Sequence, residues 1–146
     1  MTFVVNAKDK DTNMFEIEMA EVGQPGTLVV RTWIYNKKPT VSDNLFIESA
    51  IKGVLFNGVN NSGRTKGRKA LVTDGYDNHQ DYFDHFFGSN EYQKYAKIAM
   101  NGCVEQNNLV KVGKLYKVAK IVVISYSDLR NRLENDKIIN GLNSVF

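Results

Sequence analysis

Cysteine is almost absent: Cys103 is the only one in 146 residues, which excludes an internal disulfide and a cysteine-built zinc cluster. No apolar run approaches the roughly 18 to 20 residues that cross a bilayer. The start, Met1-Thr2-Phe3-Val4-Val5-Asn6, is too short and too soon followed by charge to read as a signal peptide, so a chain without membrane span or export leader is expected. Charge of one sign is lacking as well. Nineteen Lys and Arg against sixteen Asp and Glu leave a net +3, short of the dense basic stripe of a dedicated nucleic-acid binder. What is present is apolar material, 42% hydrophobic and 11% aromatic residues, enough at this length for one packed core. One domain over residues 1–146 is expected.

Local pattern sets the order of elements. Met14 to Met19 and Thr27 to Tyr35 read as two strands, joined through the turn residues Gly23-Gln24-Pro25-Gly26; Pro39 stops the second, having no amide to give to a ladder. Ser42 sits where a helix N-cap belongs and Asp43 favours the dipole's positive end. Phe46, Ile47, Ala50, Ile51, Val54 and Leu55 then recur at three- and four-residue intervals, with Glu48 and Lys52 as an outward pair and Asn57-Gly58 as the stop. Residues 59–75 read as a long exposed basic loop. Asp77 or Asn78 opens a second helix, which Gly88-Ser89-Asn90 interrupts before Tyr92, Tyr95, Ala96 and Ile98 resume helical spacing. Leu109 to Val112 and Leu115 to Tyr126 read as strands, the second containing the most apolar stretch of the chain. Ser127 and Asp128 cap a last helix ending near Asn140-Gly141. Strands precede helices in two clusters, so the expected class is α+β: a mainly antiparallel four-stranded sheet with about three helices packed on one face.

Four constellations invite a chemical reading. Gly58 to Thr65 misses the phosphate-binding pattern G-x-x-x-x-G-K-[ST] by one residue, Arg64, and it follows a helix where that loop must precede one. Arg64, Lys66, Arg68 and Lys69 put four cations within six residues; they are the candidate contacts for phosphate, nucleic acid or an acidic partner, with a strongly salt-dependent contribution, against a plain solvated loop. Both histidines fall in Asp77 to His85. On a helix Asp81 and His85 share a face while His79 points elsewhere, so this segment alone supplies two metal ligands and not three; acidic residues at a helix start also suit the dipole without a metal. Cys103, Ser62 and Ser89 lack a neighbouring base or a G-x-S-x-G elbow, and the sequon Asn60-Asn61-Ser62 carries no weight. The aromatic run Tyr82, Phe83, Phe86, Phe87, Tyr92, Tyr95 is expected mostly to cover the sheet.

Ala50 to Val59, Asp81 to Phe87 with Tyr92, and Leu129 to Glu134 with Ile138-Ile139 resemble a family of small uncharacterised proteins of gut anaerobic bacteria, over about residues 27 to 142. The resemblance implies an exported, envelope-associated protein and assigns no catalytic residue. Since this chain shows no leader, cytoplasm or a virion is the alternative location, the envelope applying if a leader has been removed. The resulting expectation is a non-catalytic interaction module without cofactor or metal, a self-associating or partner-bound subunit of a virion or of an envelope machine. The loop Val59–Gly75 and the apolar tail Val145-Phe146 are its expected contact elements. Nucleic-acid or phosphate binding through residues 64–69 is the alternative, and a metal enzyme built on His79, Asp81 and His85 a third.

Overall fold

The computed structural model describes residues 14–63, 65–99 and 109–140, so the expectations placed on Arg64, Cys103 and the tail Val145-Phe146 lie outside the described residues. Alternation decides the sheet. β1 (Phe15–Glu21) and β2 (Leu28–Asn36) pair antiparallel with Phe15 opposite Ile34, and the register shifts between Met19 and Glu21. β2 then pairs along its whole length with β5 (Leu115–Ile124), from Leu28 opposite Ile124 to Asn36 opposite Tyr116. The far side of β5 carries two short strands, β3 (Ala96–Ile98) opposite residues 122–124 and β4 (Leu109–Val112) opposite residues 115–118. A tight turn led by Gly113, φ +61°, joins β4 to β5. All five strands run antiparallel to their neighbours.

The pleat sends Phe15, Ile17, Met19, Leu28, Val30, Ile34, Val118, Val122 and Ile124 to one face, where all are at most 3% exposed. That face meets the helices. α1 (Asp43–Lys52) starts as expected at Ser42, whose Oγ accepts the Leu45 N–H at 3.3 Å, and Lys52 pairs with Glu48 at 3.6 Å. It buries Phe46, Ala50 and Ile51. Lys120, pointing inward from β5, donates to Asp43 at 2.6 Å and lies over the Phe46 ring, anchoring the start of α1 to the sheet. The helix widens into a π turn, Gly53–Asn57, closed by Gly58 N–H on the Gly53 carbonyl at 2.7 Å. Gly58 ends it at φ +86°, ψ 177°, a backbone region that essentially only glycine occupies. α2 (Gln80–Gly88) and α3 (Tyr126–Asn135) add Phe83, Phe86, Leu129 and Leu133 to the same core. The class is α+β, with an antiparallel sheet and, among the described residues, three α-helices.

Three details differ from the expectation. Among the described residues the sheet has five strands, because Ala96–Ile98 is an edge strand and the helical spacing of Tyr92 and Tyr95 ends in a 3₁₀ turn, Glu91–Tyr95. α3 begins two residues earlier, with Ser125 and not Ser127 at its N-cap, and stops at Asn135, short of Asn140: Lys137 adopts φ +59°, its N–H bonds to the Glu134 carbonyl at 3.1 Å and that of Ile138 to Leu133 at 2.9 Å, a Schellman closure with lysine where glycine is usual. The 59–75 segment, finally, is tied down. Asn60 bridges to Glu18 at the outer edge of β1, Val59 exchanges two backbone hydrogen bonds with Arg68, and Leu71 and Val72 bond back to the carbonyls of Val54 and Leu55. Val59 and Val72 are buried at 5% and 1% exposure.

Candidate functional site

The structure separates the basic residues. Lys66 and Arg68 line a cleft shared with the β1–β2 turn, whereas Lys69 lines another with Tyr126 and Arg130. Arg68 turns its guanidinium onto the carbonyls of Lys66 and Gly67 in its own loop.

The histidines are likewise separated. His79, ahead of α2, shares its Nε2 with both carboxylate oxygens of Asp74 at 2.9 and 3.1 Å and sets its ring edge-on to Phe83. His85 is largely exposed and faces Glu91 at 3.4 Å. Asp81 is exposed and joins neither pair. Among the described residues no three His, Cys, Asp or Glu side chains converge to hold a metal. Ser62 is held in a backbone bridge with Thr65 and Ser89 donates to Glu91. Phe83, Phe86 and Tyr92 of the aromatic run are buried in the core. The Tyr76 hydroxyl donates to Asp84, and partial burial together with that carboxylate pushes its pKa up to about 12.

What the segment builds is a clamp around Arg132 of α3. Its guanidinium donates to Glu91 at 2.9 Å, to Asp136 at 2.9 Å and to the Tyr95 hydroxyl at 3.4 Å, and lies over the Phe86 ring. Tyr82 donates to the same Asp136 at 2.5 Å. The Tyr82 bond and then Arg132 hold Asp136 below the ordinary carboxylate range; Arg132 and Ser89 do the same to Glu91; burial and Asp136 push the Tyr82 phenol up. A carboxylate depressed in the fold contributes stability above its unfolded value, about 4, and loses it as pH falls through the folded one. Arg132→Met is therefore expected to lower stability near neutrality, and its deficit relative to the parent to shrink as pH falls and Asp136 and Glu91 take up protons. Urea unfolding across pH checks this; parallel curves would refute it.

A different group of residues forms a surface of its own. The pleat sends Glu16 and Glu18 of β1, Arg31, Trp33 and Tyr35 of β2, and Lys117 of β5 to the face opposite the helices. None of them belongs to the hydrophobic core. Glu16, only 2% exposed, accepts the Tyr35 hydroxyl at 3.1 Å and faces the Lys117 ammonium at 3.4 Å. That ammonium lies 4.7 Å from the Trp33 ring centre and 5.7 Å from that of Tyr35, a cation–π arrangement. Glu18 accepts from Trp33 Nε1 at 3.3 Å and Arg31 at 3.4 Å. Burial, then the bond to Glu16, raises the Tyr35 pKa. At the outer edge of β1, Glu16, Ile17, Glu18, Trp33, Asn60 and Asn61 enclose a pocket of about 240 Å³.

The period-two placing of Glu16 with Glu18, and of Arg31, Trp33 and Tyr35, was the available sequence signal for this face. No described helix is long and apolar enough to cross a membrane. Comparison of the chain with models of known families, with characterised proteins and with solved structures gives no match.

Proposed function

We propose that this chain is a non-catalytic interaction module, one subunit of a larger protein assembly such as a virion or an envelope machine, and that the sheet face opposite the helices meets the partner. The observation that carries this reading is the half-exposed trio Arg31, Trp33 and Tyr35 at alternate positions of the central strand. These are residue types enriched where interfaces concentrate their binding energy. Glu16, Glu18 and Lys117 bond to them, so their orientations are set before any partner arrives, which lowers the ordering cost of association. The segment Val59–Gly75 flanks this face through Asn60 and Asn61. β4, at the sheet's edge, leaves Leu109, Val110 and Val112 41 to 47% exposed, as a surface awaiting cover does.

Sedimentation and mass photometry test the reading. The full chain is expected in particles heavier than 16.5 kDa, either alone or in fixed stoichiometry with a partner from its native source. Trp33→Ser is expected to release it while the circular dichroism of the fold is kept. A strictly monomeric chain at high concentration that recovers no partner would refute the assignment, as would a Trp33→Ser chain that assembles unchanged.

A further inference from the structure

We infer that the pocket at the outer edge of β1 receives an organic cation, the ammonium or guanidinium head of a lysine or arginine side chain presented by the partner. This deepens the interaction reading and rests on it. Glu16 and Glu18 both face outward from one strand, and the indole of Trp33 spans them, opposite Glu16 in register and bonded to Glu18. In each carboxylate Oε1 takes all the contacts that hold the side chain, leaving Oε2 without a partner among the described residues. Both side chains line the pocket, that of Glu16 being 2% exposed. A carboxylate oxygen with no donor of its own at a pocket wall attracts one, and a charged donor most of all.

The protein already shows which donor this chemistry suits. Glu16 and Trp33 together hold the ammonium of Lys117, at 3.4 Å from the carboxylate and 4.7 Å from the ring centre. The pocket offers the same carboxylate and the same indole to a second cation, adding Glu18 and the amides of Asn60 and Asn61. Its 240 Å³ lies below the roughly 300 to 1,000 Å³ of sites for drug-sized ligands and suits a charged head with part of its stem. The aromatic wall favours a weakly hydrated organic cation over a divalent metal.

Trp33 is the only tryptophan, so its fluorescence reports on the pocket directly. The full chain is titrated at constant ionic strength with N-acetyl-lysine N-methylamide, n-butylammonium, N-methylguanidinium, magnesium chloride and neutral 1-butanol. The three organic cations are expected to give saturable changes with a Kd on the order of 1 mM. Glu18→Gln is expected to weaken them about tenfold, and Lys117→Gln, which frees Trp33 and Glu16, to strengthen them; a merely structural defect would not move the two in opposite directions.

Unsaturable quenching shared with 1-butanol, an unchanged Glu18→Gln or a response to magnesium alone would overturn the assignment. Saturation by butylammonium without the lysine derivative would overturn the side-chain source. Because the titration needs no partner, its failure is distinguishable from failure to assemble.

Discussion

Phe83→Ala is expected to destabilise the protein by about 3 to 5 kcal/mol, the usual range for deleting a buried phenyl ring. The side chain is wholly buried and lies at the centre of an aromatic group: Phe56 meets it edge-on at 4.9 Å, Tyr82 at 5.0 Å and Phe86 at 6.2 Å. Each such contact adds to simple burial, and rings on three sides leave little freedom for the cavity to collapse. Against the roughly 5 to 15 kcal/mol that separates a native domain from its unfolded chain, this loss lowers Tm by on the order of 10 °C. Phe83→Leu, which keeps most of the volume, costs less than half as much. Thermal and urea unfolding of the two variants decide the matter. A shift below about 1 kcal/mol for Phe83→Ala would mean that α2 does not depend on this contact for its seat.

The same residues show where sequence reasoning reaches. Phe83 and Phe86 were legible as core because they recur at helical spacing, and Ser42 as a cap because its hydroxyl serves an amide three residues on. Each is a local cause. Ala96–Ile98 was not legible: Tyr92, Tyr95, Ala96 and Ile98 fit a helix by spacing, and three residues are too few to show alternation. What makes them a strand is the open edge of β5 at residues 122–124, which needs their backbone groups. The end of α3 illustrates a second limit, since a lysine takes the left-handed position where the glycine rule looked ahead to Gly141.

The candidate pocket was half legible. Alternation predicts that Glu16 and Glu18 share a face, and that Arg31, Trp33 and Tyr35 do; it does not tell which face the helices cover. Asn60 and Asn61 come from a stretch read chiefly for its positive charge. They reach the pocket because the chain after the π turn runs alongside β1, with Asn60 N–H bonded to the Ile17 carbonyl and Met19 N–H to that of Asn60. Lysine and arginine side chains drew attention to 64–69, whereas the contribution of this segment to the face lies in its backbone path.

Gly67→Ala is the substitution that tests that path, and it is expected to cost about 3 kcal/mol, through steric overlap and broken hydrogen bonds together. A methyl group at Gly67 would stand 1.9 Å from the Val59 carbonyl oxygen and 2.9 Å from the Asn60 carbonyl carbon. Both obstacles are backbone, so no side chain can turn aside to admit it. Residues 66–68 must move away, breaking the bond from Gly67 N–H to Asn61 Oδ1 at 2.6 Å and the Val59–Arg68 pair at 2.7 and 3.0 Å. Asn60 and Asn61 then lose the support that holds them beside β1. Gly88→Ala is the matched control: nothing lies within 4 Å of its added methyl, and a change within about 0.5 kcal/mol is expected. Urea unfolding compares the two, and hydrogen exchange at the Met19 and Asn60 amides locates the damage. If the 59–68 stitch holds the edge of β1, those amides exchange faster in Gly67→Ala even where the fold survives, and the Trp33 response to alkylammonium weakens with them. Equal stabilities for the two alanine variants would show that the chain passes from 59 to 68 by a different route.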